Sequence, residues 1–322
     1  MTIDKADILL GLTFIGKKLR AVEAENRDGQ LNIVSVAETP CDIQLDFSSV
    51  SNYENIPRFA KSINTLIDET GIRAKVALFA LERRMVLTKK LKVDEGLSET
   101  ELKQHIEWEL EQLLISSRDE YNVAFDRLGP REEKFENIVL VAVRKKIVEY
   151  LREIFNKTAL KLSMVDVDLF AATRTFAKSQ ERAAQELSAL VDFNNRGIDF
   201  TLVHNGVYIS SSELSASAFE ENSAYPSEGD PEDIARMVNE EMDRLVNSSF
   251  EYGEPPSLRT IALYGDYVDR NVLKKLQEQR SESRVVFADP FSSVRLRLNA
   301  EAELLTKEHP EKFLVSVGMV LV

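Results

Sequence analysis

The start of the chain alternates three short apolar runs with two turn sequences, and this pattern strongly restricts the fold. The runs are Ile8–Phe14, Leu19–Glu25 and Leu31–Val36. The first two are separated by Gly16-Lys17-Lys18, and Asp28-Gly29 lies between the second and the third. An Asp-Gly pair between alternating apolar runs is typical of a tight β-hairpin. The pattern therefore predicts a three-stranded antiparallel meander.

The second half of the chain repeats this arrangement without repeating the residues. Strands are predicted over Ala189–Phe193, Ile198–Val203 and Val207–Ser211, with a polar turn at Asn194–Gly197 and a hairpin turn at Asn205-Gly206. A recurring unit of architecture indicates an internal duplication. We therefore expect two similar domains that face each other, each with one turn at the cleft between them.

Helices and strands alternate between the two meanders, which predicts an α/β fold. A capping box, Ser98-Glu99-Thr100-Glu101, opens one of the helices. The order strand, helix, strand, strand, helix predicts an inserted α+β subdomain at about 83–164. We expect a first domain over 1–187 and a second over 188–322, the second with a small helical and loop subdomain at about 216–257.

Two further segments carry less specific patterns. Asp168–Leu187 is rich in alanine and charged residues, and we expect one helix there. The apolar stretch Phe313–Val322 is too short to cross a membrane, which needs about 18 to 20 apolar residues. We expect it to be a buried helix or strand.

The net charge of −13 limits the partners that the chain can have. It argues against nucleic acid, which requires a basic surface, and against electrostatic docking on an anionic membrane. The single cysteine, Cys41, excludes an internal disulfide and a cysteine-based zinc site, and fits a reducing compartment. The N-terminal residues are acidic, and their apolar part is too short for a signal peptide. We expect a cytoplasmic protein that does not insert into a membrane directly.

The familiar patterns of catalytic and metal sites are missing from the sequence. His105, His204 and His309 do not have the spacing of metal ligands, and we expect each to be structural or solvated. There is no Gly-x-Ser-x-Gly elbow, P-loop or dinucleotide fingerprint. We therefore assign no catalytic residue and no metal ligand.

The Gly16-Lys17-Lys18 turn is compatible with two interpretations. Backbone N–H groups and lysines at a glycine-bearing turn can hold phosphate. Taken alone, the same turn fits a surface hairpin with a solvated tip better. Polar residues recur at Thr13–Arg20, Asp192–Arg196 and Gly265-Asp266, and duplicated domains would bring the three together in one cleft.

The stretch from Gly11 to Glu23 resembles the first phosphate motif of the actin-like ATPase superfamily. That motif reads glycine, hydrophobic, aspartate, hydrophobic, glycine, three serines, hydrophobic, lysine, alanine, valine, glutamate. Its two ends match here at Gly11 and Ala21-Val22-Glu23. In order and spacing, nearly the whole chain resembles the PilM family of type IV pilus assembly proteins, which is related to the division protein FtsA. The resemblance implies duplicated actin-like (ribonuclease H-like) domains around a central cleft, with the inserted α+β subdomain.

The interior of the first motif departs from the family. Thr13 stands at the metal-associated aspartate, Ile15 at the first loop glycine, Gly16-Lys17-Lys18 at the serines, and Arg20 at the lysine. Without the carboxylate at position 13, a magnesium ion near the phosphates is held less well, and phosphoryl transfer depends on that ion.

The other two nucleotide motifs also depart from the family. The second keeps Asp192 but has Asn194 where a glycine usually lies, and the adenosine motif has Gly265-Asp266 in place of two glycines. The resemblance implies ATP with Mg²⁺ as the ligand of such a cleft, whereas the departures predict a degenerate site without hydrolysis; we assign no cofactor. The residues expected in this cleft are Gly11, Thr13, Gly16, Lys17, Lys18, Arg20, Asp192, Asn194, Asn195, Gly265 and Asp266.

The resemblance also implies a function and a partner. A PilM-like protein would be a cytoplasmic scaffold, peripheral to the inner membrane, that binds the short N-terminal tail of a single-span PilN-like protein in a groove beside the inserted subdomain. An extended peptide can pair with a strand edge or lie in an apolar groove. Two alternatives stay open, an active ATPase of the same fold and an FtsA-like or secretion-system adaptor, and self-association is compatible with all three.

Overall fold

Three β-sheets organise the computed structural model, which describes residues 8–27, 30–94, 96–114, 116–128, 135–216, 229–250 and 255–322. The strands are β1 (Leu9–Ile15), β2 (Lys18–Arg27), β3 (Gln30–Pro40), β4 (Val76–Leu81), β5 (Leu87–Asp94), β6 (Tyr121–Arg127), β7 (Phe135–Arg144), β8 (Lys161–Val167), β9 (Ser188–Asn194), β10 (Gly197–His204), β11 (Val207–Ser215), β12 (Thr260–Gly265), β13 (Arg284–Phe287) and β14 (Arg295–Leu296). The helices are α1 (Phe47–Val50), α2 (Ile56–Thr70), α3 (Glu99–Leu113), α4 (Lys145–Phe155), α5 (Asp168–Ser179), α6 (Glu181–Gln185), α7 (Pro231–Ser249), α8 (Arg270–Gln279), α9 (Ala300–Glu308) and α10 (Leu314–Val320).

The six-stranded sheet contains the first predicted meander. Its order is β14-β3-β2-β1-β4-β8, with β1, β2 and β3 antiparallel and β4 parallel to β1. The predicted Asp28-Gly29 turn lies outside the described residues. Helices α2 and α4 cover one face of this sheet in one hydrophobic cluster, and α10 packs against β1 on the other. All three predicted strands are confirmed.

The five-stranded sheet repeats the topology of the first sheet. Its order is β11-β10-β9-β12-β13, an antiparallel meander followed by two strands parallel to β9. In both sheets the order is third, second and first strand of the meander, followed by two later parallel strands. The predicted duplication of the fold is therefore confirmed, and the structure is a mixed α/β one.

A shared core joins the two halves of the molecule. One hydrophobic cluster contains Leu78 of the first sheet, Leu190 and Ala262 of the second, Phe176 of α5 and Met319 of α10. Helices α5 and α10 therefore contribute to a core that both sheets share. The predicted boundary at 187/188 stays a prediction.

The three-stranded sheet, in the order β5-β7-β6, lies between β4 and β8 in the chain, and α3 packs on one of its faces. Residues 145–164 of the predicted insert lie elsewhere, since α4 packs in the cluster under the first sheet and β8 pairs with β4. Side chains of β7, β11 and α5 form a small separate cluster that connects the three-stranded sheet to the rest of the molecule.

Local signals in the sequence are confirmed at several element ends. The Ser98 and Glu101 capping box starts α3, and Asp230 caps α7 by accepting from the N–H of Glu232. Asn205 and Gly206 both have positive φ, as a two-residue hairpin turn requires. Within the predicted small subdomain at 216–257, residues 217–228 and 251–254 lie outside the described residues, and α7 forms most of the remainder.

The structure corrects one prediction about helices and decides between helix and strand in another. The single helix predicted over Asp168–Leu187 is two helices, α5 and α6, with a break at Gln180, whose φ and ψ of −134° and 57° are not helical. The tail at Phe313–Val322 is a helix, and every residue of Leu314–Val320 is buried. Burial on all sides explains why its sequence has no helical or strand period.

Candidate functional site

The two predicted turns meet at their tips. Gly16 and Lys17 form the turn between β1 and β2, and Asn195 and Arg196 form the turn between β9 and β10. A β-carbon built on Gly16 would lie 3.4 Å from Cγ of Asn195, so one added methyl group would bring the two tips into van der Waals contact. The structure therefore brings the two sequence-predicted loops close together.

Gly11 and Thr13 belong to the sheet and its packing. A β-carbon built on Gly11 would lie only 2.3 Å from the main-chain oxygen of Ser316 and 2.9 Å from Cβ of Met319. Only glycine lets α10 approach β1 this closely. Thr13 is buried, and its Oγ1 donates to the main-chain oxygen of Ala80 at 3.3 Å.

Arg20 is the centre of a buried ion-pair group. Its side chain is 0% exposed, its Nε donates to Oε2 of Glu38 at 2.8 Å, and its Nη1 donates to the main-chain oxygen of Lys312 at 3.1 Å. Nη2 also pairs with Asp266, across the two halves. The same guanidinium lies 5.8 Å from the ring centroid of Phe313. All three nitrogen atoms of the Arg20 guanidinium therefore have a partner within the protein.

The two turn lysines are placed differently from each other. Lys17 is exposed, and its main-chain oxygen accepts from the N–H of Cys41 at 2.8 Å. Lys18 pairs with Oε1 of Glu38 at 3.1 Å. Glu38 thus holds both Lys18 and Arg20, and these two cations together keep the pKa of its carboxyl below the usual range against the opposing effect of burial.

A second group of ion pairs crosses between the halves at Arg196. Its guanidinium lies 3.4 Å from Oδ2 of Asp46 and 3.4 Å from Oε1 of Glu82, and both acids belong to the first half of the chain. The side-chain amide of the neighbouring Asn195 lies 3.1 Å from that of Gln44, whose oxygen accepts from Nη2 of Arg196 at 2.7 Å in the amide orientation that satisfies its neighbours. The turn of the second half is thereby fastened to the segment that follows β3.

Asp192 and Gly265 are in mutual contact inside the second sheet. Gly265 has φ +103°, and a β-carbon on it would lie 2.3 Å from Oδ1 of Asp192. Asn194 donates to Oδ2 of Asp199 at 2.9 Å, and its own Oδ1 accepts from the N–H of Arg196. The glycine of the adenosine motif therefore makes room for a protein carboxylate here.

Several acids close to this contact have raised pKa values. Burial is the main cause for Asp168, whose pKa rises to about 7, and the carboxylates of Glu82 and Asp199 add to the effect. Burial also raises the pKa of Asp192 and, against the pull of Arg196 and Arg84, that of Glu82. Among the described residues, no group of three or more His, Cys, Asp and Glu side chains has the geometry to hold a metal ion.

Arg83 and Arg84 complete the contact between the halves. Arg83 donates to the main-chain oxygen of Ser212 at 3.1 Å, and Arg84 pairs with Asp199 at 3.0 Å and Glu213 at 3.2 Å. Several arginines of the cleft, among them Arg20, Arg84 and Arg196, therefore pair with carboxylates of the other half. The sequence predicted Arg20 as a cleft residue but indicated neither Arg83 and Arg84 nor the partners, because these residues are far apart in the chain.

A groove lies beside the three-stranded sheet, and the sequence did not indicate which residues line it. β6 ends the three-stranded sheet and β8 ends the six-stranded sheet, so each has one edge without a described neighbour. A cavity of about 320 Å³ lies between them, lined by Asn122–Ala124 of β6 and Leu162–Val167 of β8. Most of its other lining side chains are aliphatic, among them Val86 and Val141.

A larger cavity continues from this groove. It measures about 660 Å³ and shares Ala124, Val141 and Val165–Val167 with the first cavity. Its further wall is formed by α5 and by the β10–β11 hairpin, with Phe170 and Tyr208 facing each other at 5.5 Å between ring centroids. The two cavities form one groove, largely apolar, along the base of the three-stranded sheet. Within the described ranges, every helix is too short or too polar to cross a membrane.

Comparison with known proteins shows the family of this chain, and two solved structures share its fold. A family model described as type IV pilus assembly protein PilM matches residues 11–216, more than half of the chain. A solved PilM–PilN type IV pilus biogenesis complex contains a chain that is 18% identical, with 98% of each chain covered and a TM-score of 0.77. The cytoplasmic domain of EpsL, an inner-membrane component of the type II secretion system of Vibrio cholerae, is 7% identical over 97% of this chain and 93% of its own, with a TM-score of 0.50. At these identities the two structures establish a shared fold.

Proposed function

The chain belongs to the family of the type IV pilus assembly protein PilM, and from this premise we propose that it is a scaffold that binds the cytoplasmic tail of a membrane partner. The partner would be a single-span inner-membrane protein of the PilN type, and the chain would lie in the cytoplasm against that membrane. Its solved relative is described as a complex of PilM with PilN. The N-terminal tail of such a partner is the segment that we expect this chain to bind.

The groove between β6 and β8 is the observation that carries this proposal. An edge strand has free backbone N–H and C=O groups that an extended peptide can pair with. Here two such edges border one groove, and β6 and β8 each contain seven residues. A peptide of similar length can therefore add a strand to either sheet while its apolar side chains enter the groove.

The lining of the groove defines which tail fits. Apolar side chains at alternate positions would contact Val86, Val141 and the second cavity beside Phe170. Arg152 lies at one part of the wall, and Asp166 and Arg174 pair with each other at 2.7 Å in another. We expect a short extended segment with alternating aliphatic residues and little charge.

Peptide binding at this groove can be measured directly. The probe is a fluorescent peptide from the cytoplasmic end of the single-span membrane protein encoded beside this chain, and anisotropy gives its affinity. Ala124→Glu places a charge at an exposed residue that lines both cavities, and we expect about tenfold weaker binding or more. Ala300→Glu, at an exposed alanine on α9, is the matched control and should bind normally. Equal affinity of the two variants, or no binding of the tail to the unaltered protein, would refute the groove as the site.

We also propose that the central cleft does not hydrolyse ATP. Thr13 gives no carboxylate for magnesium and is bonded to the sheet, and a single methyl group added at Gly16 would already contact Asn195. Asp266 is paired with Arg20 at the place where an adenosine motif would have glycine. These contacts support a pseudo-ATPase over an active ATPase of the same fold.

A further inference from the structure

Helix α3 presents an exposed tryptophan on the outer side of the three-stranded sheet. Leu102, Ile106 and Leu110 are buried against the sheet, whereas the side chain of Trp108 is 56% exposed. Its indole stacks on the ring of His105 at 6.2 Å between centroids and 28° between planes. A large aromatic side chain is unusual on a solvated helix face. Tryptophan is enriched at the centres of protein interfaces, so its exposure here indicates a binding surface.

The residues around Trp108 are acidic. The helix contains five glutamates and one lysine. Three of the glutamates are engaged, since Glu99 pairs with Arg127, Glu101 caps the helix at Ser98, and Glu109 pairs with Lys89.

The remaining two, Glu107 and Glu111, have no ion-pair partner within the described ranges, and Lys103 does not pair with Glu107 there. They are four residues apart, so they share one side of the helix and repel each other. An external cation between them would relieve this repulsion.

We propose that the outer face of α3 binds a basic segment of a partner protein. An arginine or lysine of that segment stacks on the indole of Trp108 and pairs with Glu107 and Glu111. A cation over an indole face contributes to binding, and desolvation by the partner strengthens the contact. His105 holds the indole in place, which lowers the entropy lost on binding. This surface is separate from the groove, because α3 packs on the opposite face of the three-stranded sheet.

An exposed tryptophan could also contact a membrane surface or a second copy of this chain, but negative charge opposes both. Tryptophan is also common at membrane surfaces, but the glutamates on this helix repel anionic lipid headgroups. A second copy of this chain carries a net charge of −13, so like charges oppose self-association here. A basic partner segment is the occupant that matches both the ring and the carboxylates.

Trp108 is the single tryptophan of the chain, so its fluorescence reports on this surface alone. The probe is a labelled helical peptide of alanine with arginine at every fourth position, and a glutamine version of it is the control peptide. We expect the arginine peptide to bind the full-length protein and to shift the tryptophan emission to shorter wavelength. Added salt should weaken binding, because the carboxylates contribute through charge.

Variants separate this surface from general electrostatic attraction. Trp108→Ala should weaken arginine-peptide binding, followed by anisotropy, about tenfold, and Glu107→Gln with Glu111→Gln should weaken it similarly and reduce the salt dependence. The matched control is Glu301→Gln with Glu303→Gln on α9, which should leave the affinity unchanged. All of these side chains except Trp108 are exposed glutamates, and circular dichroism checks the fold of each variant.

Three results would overturn the proposal. The first is no binding of the arginine peptide, and the second is an equal loss of affinity in the α9 control. The third is an emission shift with vesicles of phosphatidylglycerol and phosphatidylcholine but not with the peptide, which would make the surface a membrane contact. Ala124→Glu in the groove should keep full arginine-peptide binding, so failure of the groove proposal and failure of this one are distinguishable.

Discussion

Arg20 on β2 and Asp266 beyond β12 form an ion pair, although 246 residues separate them in the chain. Arg20 also bonds Glu38 on β3 and the main chain at Lys312. One guanidinium therefore joins the first sheet, the second sheet and the segment before α10. This contact lies where the family relatives are expected to have nucleotide-binding residues.

Removing Arg20 should destabilise the protein strongly. Arg20→Met leaves Glu38 and Asp266 without their shared cation, and breaking a buried pair in this way costs about 3–5 kcal/mol. Urea denaturation gives the free energy of unfolding. The control is Arg58→Met, whose pair with Asp42 is exposed and should cost less than about 1 kcal/mol. Similar costs for the two variants would contradict the role given to Arg20.

Gly11 should tolerate no side chain. In Gly11→Ala the new methyl group meets the main chain at Ser316, and we expect overpacking to cost about 3 kcal/mol. Hydrogen exchange should become faster in α10. Gly71→Ala is the comparison, because Gly71 has φ +66° with open space around it and should cost about 1 kcal/mol without changing exchange in α10. Unchanged exchange in the Gly11 variant would mean that packing is not the reason for the glycine.

Asp168 should make stability depend on pH. It accepts from the N–H groups of Arg83 and Leu169, and its pKa is raised to about 7. An unfolded aspartate has a pKa of about 3.9, so the folded protein holds a proton that the unfolded chain has lost. The resulting stabilisation is complete below about pH 4 and is lost as the pH rises through about 7.

The variant Asp168→Asn keeps an acceptor oxygen but cannot ionise. Between pH 5 and pH 8 the unaltered protein should lose about 2 kcal/mol of unfolding free energy relative to this variant. Urea denaturation at a series of pH values measures the difference. Parallel curves for the two proteins would show that Asp168 does not titrate in this range.

ATP should have little effect on stability. A ligand at 100 times its dissociation constant stabilises a protein by about 2.7 kcal/mol, which would raise the melting temperature by several degrees. Because ion pairs such as that of Arg20 with Asp266 cross the cleft, we expect millimolar ATP with Mg²⁺ to raise the melting temperature by less than about 1 °C. The membrane-partner tail peptide is the positive control for a stabilising ligand. A rise of several degrees with ATP would exclude a closed, degenerate cleft.

The sequence predicted the features that depend on local patterns. The two meanders, the Ser98 capping box and the Asn205-Gly206 turn all follow from residues that are close together in the chain. Apolar alternation and turn chemistry encode such features directly. For this reason the duplicated fold could be predicted from the amino-acid sequence.

The site depended on long-range contacts and could be predicted only in part. The sequence indicated that Gly16 and Asn195 belong near one cleft, but not how close the two turns come or that Asp266 pairs with Arg20. The groove arises because β6 and β8 are the terminal strands of their sheets. The residue pattern of a single strand does not determine its place in the sheet, so the sequence could not predict these two edges. Gly11 matched a nucleotide motif in sequence, whereas in the structure it makes room for α10.

The position of α10 has a consequence for how the protein folds. This helix, at residues 314–320, packs on β1 and α5 and completes the core around the first sheet. During synthesis the first sheet therefore lacks a large part of its apolar cover until these late residues have left the ribosome. Contacts of such long sequence separation form slowly, because a large loop must close first. We expect the two halves to fold as a single cooperative unit, with the early strands needing protection from aggregation until α10 is in place.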